Sequence, residues 1–393
     1  MAESITTDNW VKLHSVLSED VTKMRALSGL RGWAAFWVLL YHGWVFAEKP
    51  PLLLAVGPLS LNFTPLVSMG IAGVTIFFVL SGFLLGRPFA EWQAGSRQRP
   101  DFGRYLFHRV ARVFPAYYAQ LFILLLVAYF VSGQIYITDG STLIRYLLML
   151  FVPPPMGVTP INLVWWTLPI EFSFYLVLPA LAFMMRPTRW WWLLAASLGA
   201  MWCWRFLLIT WLGDAPVPQR VYASYQLPGV LDMFGLGMLA ALLHVNRDQV
   251  PGWLMPRANF NRMAILGCLL IVVSGYWLFD ERRHYWADNP IFYLWTPVLS
   301  LGTAAIVLAA ARGSRFTEWL LGNRIMVFAG LVSYSVYLWH VVVMDWITHT
   351  DLIQGANGYR FPILLLVAIP LIYLIATSSY ILVERPFIRM RRK

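Results

Sequence analysis

The chain has 393 residues, of which 59% are hydrophobic and only 12% are charged. Soluble globular domains carry about 45–50% apolar and about 25% charged residues, so this composition excludes an ordinary soluble fold. A formal net charge of +11 would suggest nucleic-acid binding in a soluble protein. Here the basic residues flank apolar segments, where they serve as topology signals. We therefore predict a lipid bilayer as a partner and no nucleic acid.

Apolar segments long enough to cross a bilayer recur along the chain. A spanning helix needs about 20 residues, and the sequence predicts an all-α, polytopic membrane helix bundle of about ten transmembrane helices. The predicted spans are 27–46, 68–87, 112–132, 163–185, 190–212, 224–245, 262–280, 290–311, 325–349 and 362–383. Segment 141–152 is apolar but too short to cross, and it runs into Pro153-Pro154-Pro155, so we interpret it as interfacial or re-entrant.

Lysine and arginine residues in the loops predict the orientation of the bundle. One side carries most of them and the other side few, which is the asymmetry of cytoplasmic and non-cytoplasmic faces. With an even number of spans, both termini are expected in the cytoplasm and the protein in the cell inner (plasma) membrane. The expected organisation is a cytoplasmic leader over 1–24, suited to form an interfacial helix, a membrane domain over 25–386 and a basic cytoplasmic tail over 387–393.

Ionisable side chains inside the predicted spans are the strongest functional signal. Each costs about 2.5–3.5 kcal/mol on insertion scales, so its presence requires a reason. The candidates are Arg31, His42, Arg112, Glu171, Arg205, Asp232, His340, Asp345 and Glu384. We expect several of them to converge on a water-accessible hollow inside the bundle.

Arg31 and His42 share the first predicted span, with ten residues between them. Their side chains therefore project from one helix face, about 16 Å apart along the axis. They either line one internal cavity or extend separately to the two membrane surfaces. Glu171 lies mid-span, two residues after Pro169, which weakens a helix. It is either functional or paired with a buried base such as Arg205.

Arg109 and Arg112 lie at the cytoplasmic side of the third predicted span, three residues apart, so they are neighbours on one helix face. Two guanidinium groups suit a phosphate-bearing ligand, and the alternative is a plain topology signal. His340 is either part of a site or a core histidine hydrogen-bonded to a neighbouring helix. For Asp232 we favour a structural role as the partner of a neighbouring arginine over a functional role. Gly82 is expected to permit a close helix approach.

Several stretches together resemble the acyltransferase-3 family of membrane acyltransferases, which includes bacterial polysaccharide O-acetyltransferases. They occur in the expected order and cover nearly the whole chain. The stretches are 25–32 (RALSGLRG) with His42, 73–83 (GVTIFFVLSGF), Arg109 to Arg112 with 115–118 (PAYY), 166–175 (WTLPIEFSFY), 333–340 (SYSVYLWH) and 384–386 (ERP). Many relatives carry Asp where this chain has Ser28 and Thr75, which leaves open which acid orients His42.

The resemblance implies an O-acyltransferase that moves an acyl group, expected to be acetyl, from acetyl-CoA to a sugar hydroxyl of a lipid-linked or exported glycan. The expected catalytic residues are His42 and Glu171, with no metal. The expected donor-binding residues are Arg31, Arg109, Arg112 and Tyr118. The expected acceptor-binding residues are Trp166, Tyr175, Arg205 and His340. Direct transfer and relay through an acyl-enzyme both stay open.

Other functions also stay open on the sequence. An acyltransferase of this kind could act on a macrolide or another small secondary metabolite. A transporter or flippase of a lipid-linked glycan would likewise need intramembrane charges and a polar path, although the sequence has no convincing internal repeat. A non-catalytic scaffold would have no reason to bear the insertion cost of Arg31, His42 and Glu171. The oligomeric state is not predicted.

Overall fold

The computed structural model describes residues 24–57, 59–151, 160–249, 259–287 and 289–390. All of the predicted leader except Met24 lies outside these residues, and so do Pro153-Pro154-Pro155 and the last three residues of the tail. The described chain is a bundle of α-helices, as the composition predicts.

The helices follow one another with short connections. In chain order they are α1 (Arg25–Phe46), α2 (Thr64–Ser68), α3 (Ala72–Gln93), α4 (Phe102–Ser132), α5 (Gly140–Leu147), α6 (Thr167–Leu181), α7 (Trp190–Leu212), α8 (Val217–Ser224), α9 (Leu231–Val245), α10 (Phe260–Glu281), α11 (Pro290–Ala311), α12 (Arg315–Leu321), α13 (Arg324–Leu331), α14 (Ser333–Thr348), α15 (Asp351–Gln354), α16 (Arg360–Ser379) and α17 (Arg385–Met390). A π-helical turn, Tyr380–Glu384, joins α16 to α17.

The described residues contain eight or nine candidate spans, which is close to the predicted number of about ten. Among the described residues, eight helical segments are long and apolar enough to cross a membrane. A ninth is added if α13 and α14, bent by 76° at the break between them, form one broken span. The predicted first span is α1, whose 22 residues give about 33 Å of helix. Its arginine, histidine and glycine residues lower its mean hydropathy, so α1 is not among the eight strongly apolar segments.

A short hairpin is a small exception to the all-α prediction. Strands β1 (Leu53–Val56) and β2 (Leu59–Asn62) pair antiparallel, with Leu53 opposite Asn62. The hairpin follows α1 at the end of the bundle away from the arginine-rich loop 94–101. The segment predicted to be too short to cross contains α5, an eight-residue helix capped by the side chain of Asp139.

Close glycine contacts hold the central helix α3 against α9. A Cβ atom added at Gly82 would lie 2.2 Å from the carbonyl oxygen of Phe234, and one added at Gly237 would lie 2.0 Å from that of Val79. The two glycines therefore let the two backbones touch, which confirms the expectation for Gly82. A similar contact joins α1 to α13 at Gly330, where an added Cβ would lie 1.8 Å from the Ser28 carbonyl oxygen.

Replacing Gly82 with alanine should destabilise the bundle. The added methyl group meets rigid backbone, so α3 and α9 must separate, and overpacking of this kind costs about 1–3 kcal/mol. The matched control is Gly199→Ala in α7, where the added Cβ has no neighbour within 4 Å and alanine is the better helix former. Thermal unfolding in detergent should show a lower midpoint for Gly82→Ala only. Equal midpoints for the two variants would contradict the close contact.

Candidate active site

A cavity of about 1110 Å³ opens at the arginine-rich end of the bundle, which is the end that carries loop 94–101. Its rim includes the exposed residue Arg97. Along α3 its lining runs from Phe89 near the rim to Val74, about 22 Å along the helix. Its inner end includes Tyr337 of α14. The cavity therefore reaches deep into the bundle and is long enough for an extended ligand.

Helix α4 presents a row of basic side chains to this cavity. The helix begins after Asp101, whose carboxylate accepts a hydrogen bond of 2.7 Å from the backbone N–H of Arg104. Arg104, His108 and Arg112 follow at intervals of four residues, so they share one face and all line the cavity. Arg109 also lines it, and its buried Nε has no hydrogen-bond partner among the described residues. A ligand oxygen could satisfy this donor.

Glu171 of α6 faces the same cavity and lies among the arginines. Its Oε1 accepts hydrogen bonds from the hydroxyls of Tyr175, at 2.6 Å, and Ser81, at 3.1 Å. The carboxylate also interacts electrostatically with Arg31 and Arg109. Glu171, Tyr175 and Arg31 all line the cavity, so the structure brings together residues from the first and fourth predicted spans.

Pro169 lies in the first turn of α6, which begins at Thr167. The N–H groups of a first turn have no partner within the helix, so the proline is tolerated there. The expectation that Pro169 weakens a helix in mid-span is therefore wrong, because the α-helix starts only two residues before it.

In the structure a second carboxylate, that of Glu384, lies close to the arginines. The hydroxyl of Ser335 donates a hydrogen bond to its Oε1, and the carboxylate interacts electrostatically with Arg31 and Arg112. The sequence marks Glu384 as an intramembrane acid but gives it no role. Its side chain reaches the arginines from the π-helical turn, an irregularity that often occurs at functional sites and that residue spacing does not reveal.

Five side chains thus form what we call the charged cluster. Its members are Arg31, Arg109, Arg112, Glu171 and Glu384. Three guanidinium groups face two carboxylates, so the cluster keeps an excess of positive charge. An anionic ligand entering the cavity would supply the missing negative charge.

His42 points into the bundle and meets a second histidine. Its Nδ1 lies 3.1 Å from Nε2 of His340, which is only 1% exposed, and 3.0 Å from the carbonyl oxygen of Val38. Among the described residues these are its hydrogen-bond neighbours, so Glu171 does not contact the ring. Tyr337 lines the cavity, and its ring centroid lies 5.8 Å from that of His340. The two histidines, called the histidine pair below, therefore lie just beyond the inner end of the cavity.

A buried amide network fixes α14 next to the histidine pair. The carbonyl oxygen of Leu338 accepts hydrogen bonds from Gln120, at 2.6 Å, and from Asn162, at 2.7 Å. The indole N–H of Trp165 donates to the side-chain oxygen of Gln120 at 2.7 Å. All three side chains are almost completely buried. The network ties α14 to α4 two residues before His340. Sequence reasoning missed it because uncharged amides do not stand out in a span.

Two residues expected to bind ligands lie away from the cavity. The hydroxyl of Tyr118 donates a hydrogen bond of 2.8 Å to the carbonyl oxygen of Leu147, in α5. The ring of Trp166 packs edge-on against that of Tyr225, with the centroids 4.8 Å apart. Both side chains lie towards the end of the bundle opposite the arginine-rich loop.

Arg205 occupies a separate, buried position between α7, α9 and α11. It is 2% exposed and donates hydrogen bonds to the carbonyl oxygens of Phe292 and Gly229. It also interacts electrostatically with Asp232, which is completely buried. The expected structural partnership between Asp232 and an arginine is present, and the contacts of Arg205 hold helices together.

The part of the chain that the structure describes contains no group of three or more His, Cys, Asp or Glu side chains that could hold a metal ion. The site that it does contain is a deep cavity lined by several arginine side chains, with two imidazoles beside its inner end.

Comparison with known proteins identifies the class of this chain. A family model described as an acyltransferase domain matches residues 24–379. The chain belongs to this family, the acyltransferase-3 family of multi-pass membrane proteins that its motifs resemble.

Two relatives match over most of their length. The exopolysaccharide production protein ExoZ of Rhizobium meliloti (strain 1021) is 28% identical over 332 residues, which cover 83% of this chain and 92% of ExoZ. The acyltransferase MdmB of Streptomyces mycarofaciens is 28% identical over 359 residues, which cover 86% of this chain and 83% of MdmB. No solved structure matches the chain.

Replacing Gln120 with leucine should destabilise the protein by about 1–3 kcal/mol, because the buried Trp165 N–H loses its acceptor and the Leu338 carbonyl loses a donor. Gln134→Leu is the control, since Gln134 is exposed and its side-chain oxygen accepts a hydrogen bond from the exposed hydroxyl of Tyr136 two residues away. The thermal unfolding midpoint in detergent measures the difference. Two equally stable variants would show that the network adds nothing to stability.

Proposed function

We propose that this protein transfers an acetyl group from acetyl-CoA to a hydroxyl of a sugar in a lipid-linked or exported glycan. One observation carries the proposal: a cavity with an excess of arginine runs from one end of the bundle to Tyr337, and a pair of imidazoles lies just beyond that residue. Guanidinium groups bind phosphates through paired hydrogen bonds, so Arg31, Arg109 and Arg112 are suited to the phosphates of the donor.

The donor would enter from the cytoplasm. The positive-inside rule puts the arginine-rich end on that side, together with both chain termini, and acetyl-CoA is a soluble cytoplasmic metabolite. A multi-pass protein with this orientation in the inner (plasma) membrane would take the donor from inside the cell. It would present His42 towards the opposite, non-cytoplasmic face, where an exported glycan is found.

His42 would act as the general base. The sugar hydroxyl oxygen attacks the thioester carbonyl carbon, and the hydroxyl proton passes to Nε2 of His42. The carbon–sulfur bond then breaks, and the proton moves from His42 to the departing CoA sulfur, which leaves as the thiol. Arg31 lies on the same helix as His42 but about 16 Å from it along the axis, so its N–H groups are suited to hold the negative charge of the donor rather than the oxyanion.

Glu171 would serve the reaction through the arginines. It touches Tyr175 and Ser81 and interacts with Arg31 and Arg109. A carboxylate held this way fixes where the guanidinium groups point. Either the thioester arm passes the layer of Tyr337 to reach His42, or an acyl-enzyme carries the group across that layer. The role of His42 as the base is the same in both routes.

The acceptor would bind at the non-cytoplasmic end, near the rings of Trp166 and Tyr225. Aromatic faces are apolar surfaces with a polar edge, which suits the mixed surface of a sugar. The name of the relative ExoZ concerns exopolysaccharide production, and this supports a glycan acceptor.

His42→Ala should leave a folded protein that no longer transfers acetyl groups. Losing a general base lowers the rate by about 100- to 10,000-fold. The assay supplies labelled acetyl-CoA to membranes of the source organism that lack the native gene and contain the variant, and it measures label in the glycan fraction. The exposed histidine His349, changed to alanine, should keep the native rate. Native turnover by His42→Ala would remove this residue from the chemistry.

Changing both Arg109 and Arg112 to alanine should mainly raise the KM for acetyl-CoA, because the donor phosphates lose their partners. The matched control changes Arg186 and Arg189 to alanine. This pair is also three residues apart, but both side chains are exposed and neither lines the cavity. The same labelled assay, run over a range of acetyl-CoA concentrations, gives both KM values. A donor KM that is unchanged in the first variant, or raised equally in the control, would make the pair a topology signal only.

A further inference from the structure

The histidine pair joins two helices that are far apart in the sequence. His42 lies in α1 and His340 in α14, and their ring centroids are 4.8 Å apart with an angle of 63° between the rings. Nδ1 of His42 and Nε2 of His340 are separated by 3.1 Å, a hydrogen-bonding distance. One of these two nitrogens must carry a hydrogen and the other must accept it.

Backbone carbonyl groups decide which nitrogen carries the hydrogen. Nδ1 of His340 lies 2.8 Å from the carbonyl oxygen of Tyr337 and 3.1 Å from that of Val336. A carbonyl oxygen only accepts, so this nitrogen must be protonated. In a neutral ring Nε2 of His340 is then an acceptor. Nδ1 of His42 lies 3.0 Å from the carbonyl oxygen of Val38 and 3.1 Å from Nε2 of His340, so it too is protonated, and its one hydrogen is shared between these two acceptors.

We propose that His340 is a positioning residue that shares the Nδ1 hydrogen of His42 with the carbonyl oxygen of Val38 and, with it, holds the ring of His42 so that the unprotonated Nε2 serves as a base for the incoming hydroxyl. The proposal rests on the proposed function for its chemistry and on the two rings for its geometry. If Nε2 of His340 instead donated a hydrogen to Nδ1 of His42, both Nδ1 atoms would be unprotonated. Their lone pairs would then face the lone pairs of the carbonyl oxygens of Val38, Val336 and Tyr337.

A second imidazole here takes the place that a carboxylate would otherwise occupy behind a catalytic histidine. When Nε2 of His42 receives the hydroxyl proton, the ring becomes a cation, and its Nδ1–H remains bonded to the lone pair on Nε2 of His340. A neutral acceptor stabilises this cation less than a carboxylate would. It also avoids a buried, permanently charged partner, whose desolvation is costly inside a membrane bundle.

The surrounding hydrogen bonds hold His340 in this role. The hydroxyl of Tyr337 donates to the carbonyl oxygen of Val164 at 2.8 Å and accepts from the hydroxyl of Thr167 at 2.9 Å. Leu338 follows Tyr337 in the chain, and its carbonyl oxygen accepts the hydrogen bonds of the amide network. The turn of α14 just before His340 is therefore anchored from α4 and α6, and the ring can move little.

Three variants of the full chain separate positioning from packing. His340→Gln keeps a side-chain oxygen that can accept the hydrogen of His42, whereas His340→Met fills similar space without a strong acceptor. His349→Gln, just beyond the end of α14 and exposed, is the matched control. With labelled acetyl-CoA and membranes lacking the native gene, we expect His340→Met to lower kcat by about 10- to 100-fold at an unchanged donor KM, and His340→Gln to restore most of the rate.

Three kinetic results would overturn the proposal. A native kcat in His340→Met would show that His42 needs no partner. Equal losses in the Met and Gln variants would show that the imidazole only fills space. A raised KM for the acceptor with a native kcat would instead make His340 a substrate-binding residue. This result too rejects a positioning role.

A spectroscopic test reads the same feature without catalysis. Nitrogen-15 spectra of histidine-labelled protein in lipid, with the His42 signals identified by their loss in His42→Ala, should show a protonated Nδ1 and an unprotonated Nε2. A protonated Nε2 at His42 in the native protein overturns the inference. If the native protein transfers no acetyl group, the proposed function fails, while these spectra still decide which nitrogen of His42 carries the hydrogen.

Discussion

Three arginine side chains gathered inside a membrane-embedded bundle impose the constraint on which the rest of this structure depends. Removing a guanidinium group from water costs several kcal/mol unless opposite charges, hydrogen bonds or water compensate. Glu171 and Glu384 supply two opposite charges, and the open cavity admits water to Arg31, Arg109 and Arg112. The helices that carry these residues must therefore converge on one hollow.

The backbone departs from regular helix where it serves this hollow. The 76° bend between α13 and α14 lets the start of α14 line the cavity while its next turns carry His340 away from it. The π-helical turn before α17 aims Glu384 at the arginines. Where α3 meets α9, Gly82 and Gly237 remove the side chains that would keep the two backbones apart. Each irregularity is held by contacts from other helices, so it is a property of the assembled bundle.

The polar interior has two zones with different chemistry. The charged cluster is basic, open to the cavity and suited to anions. The histidine pair is more enclosed, and its hydrogen-bond partners are uncharged. The two rings bond to each other and to backbone carbonyl groups. Tyr337 lies between them, lining the cavity with one side and contacting His340 with the other. This separation matches a reaction whose donor is charged but whose transferred group and nucleophile are not.

The sequence by itself determined the membrane class, most of the spans and which ionisable side chains lie within them, because apolar length and the cost of a buried charge are properties of local composition. It placed Arg112 and Glu171 in two spans, and their side chains do line one cavity. Only the tertiary structure decided that Glu171 meets arginines, that Glu384 joins them and that His42 meets His340. The physical reason is that helical spacing defines which face a side chain occupies, whereas partners across helices depend on crossings, bends and a π turn that only packing creates.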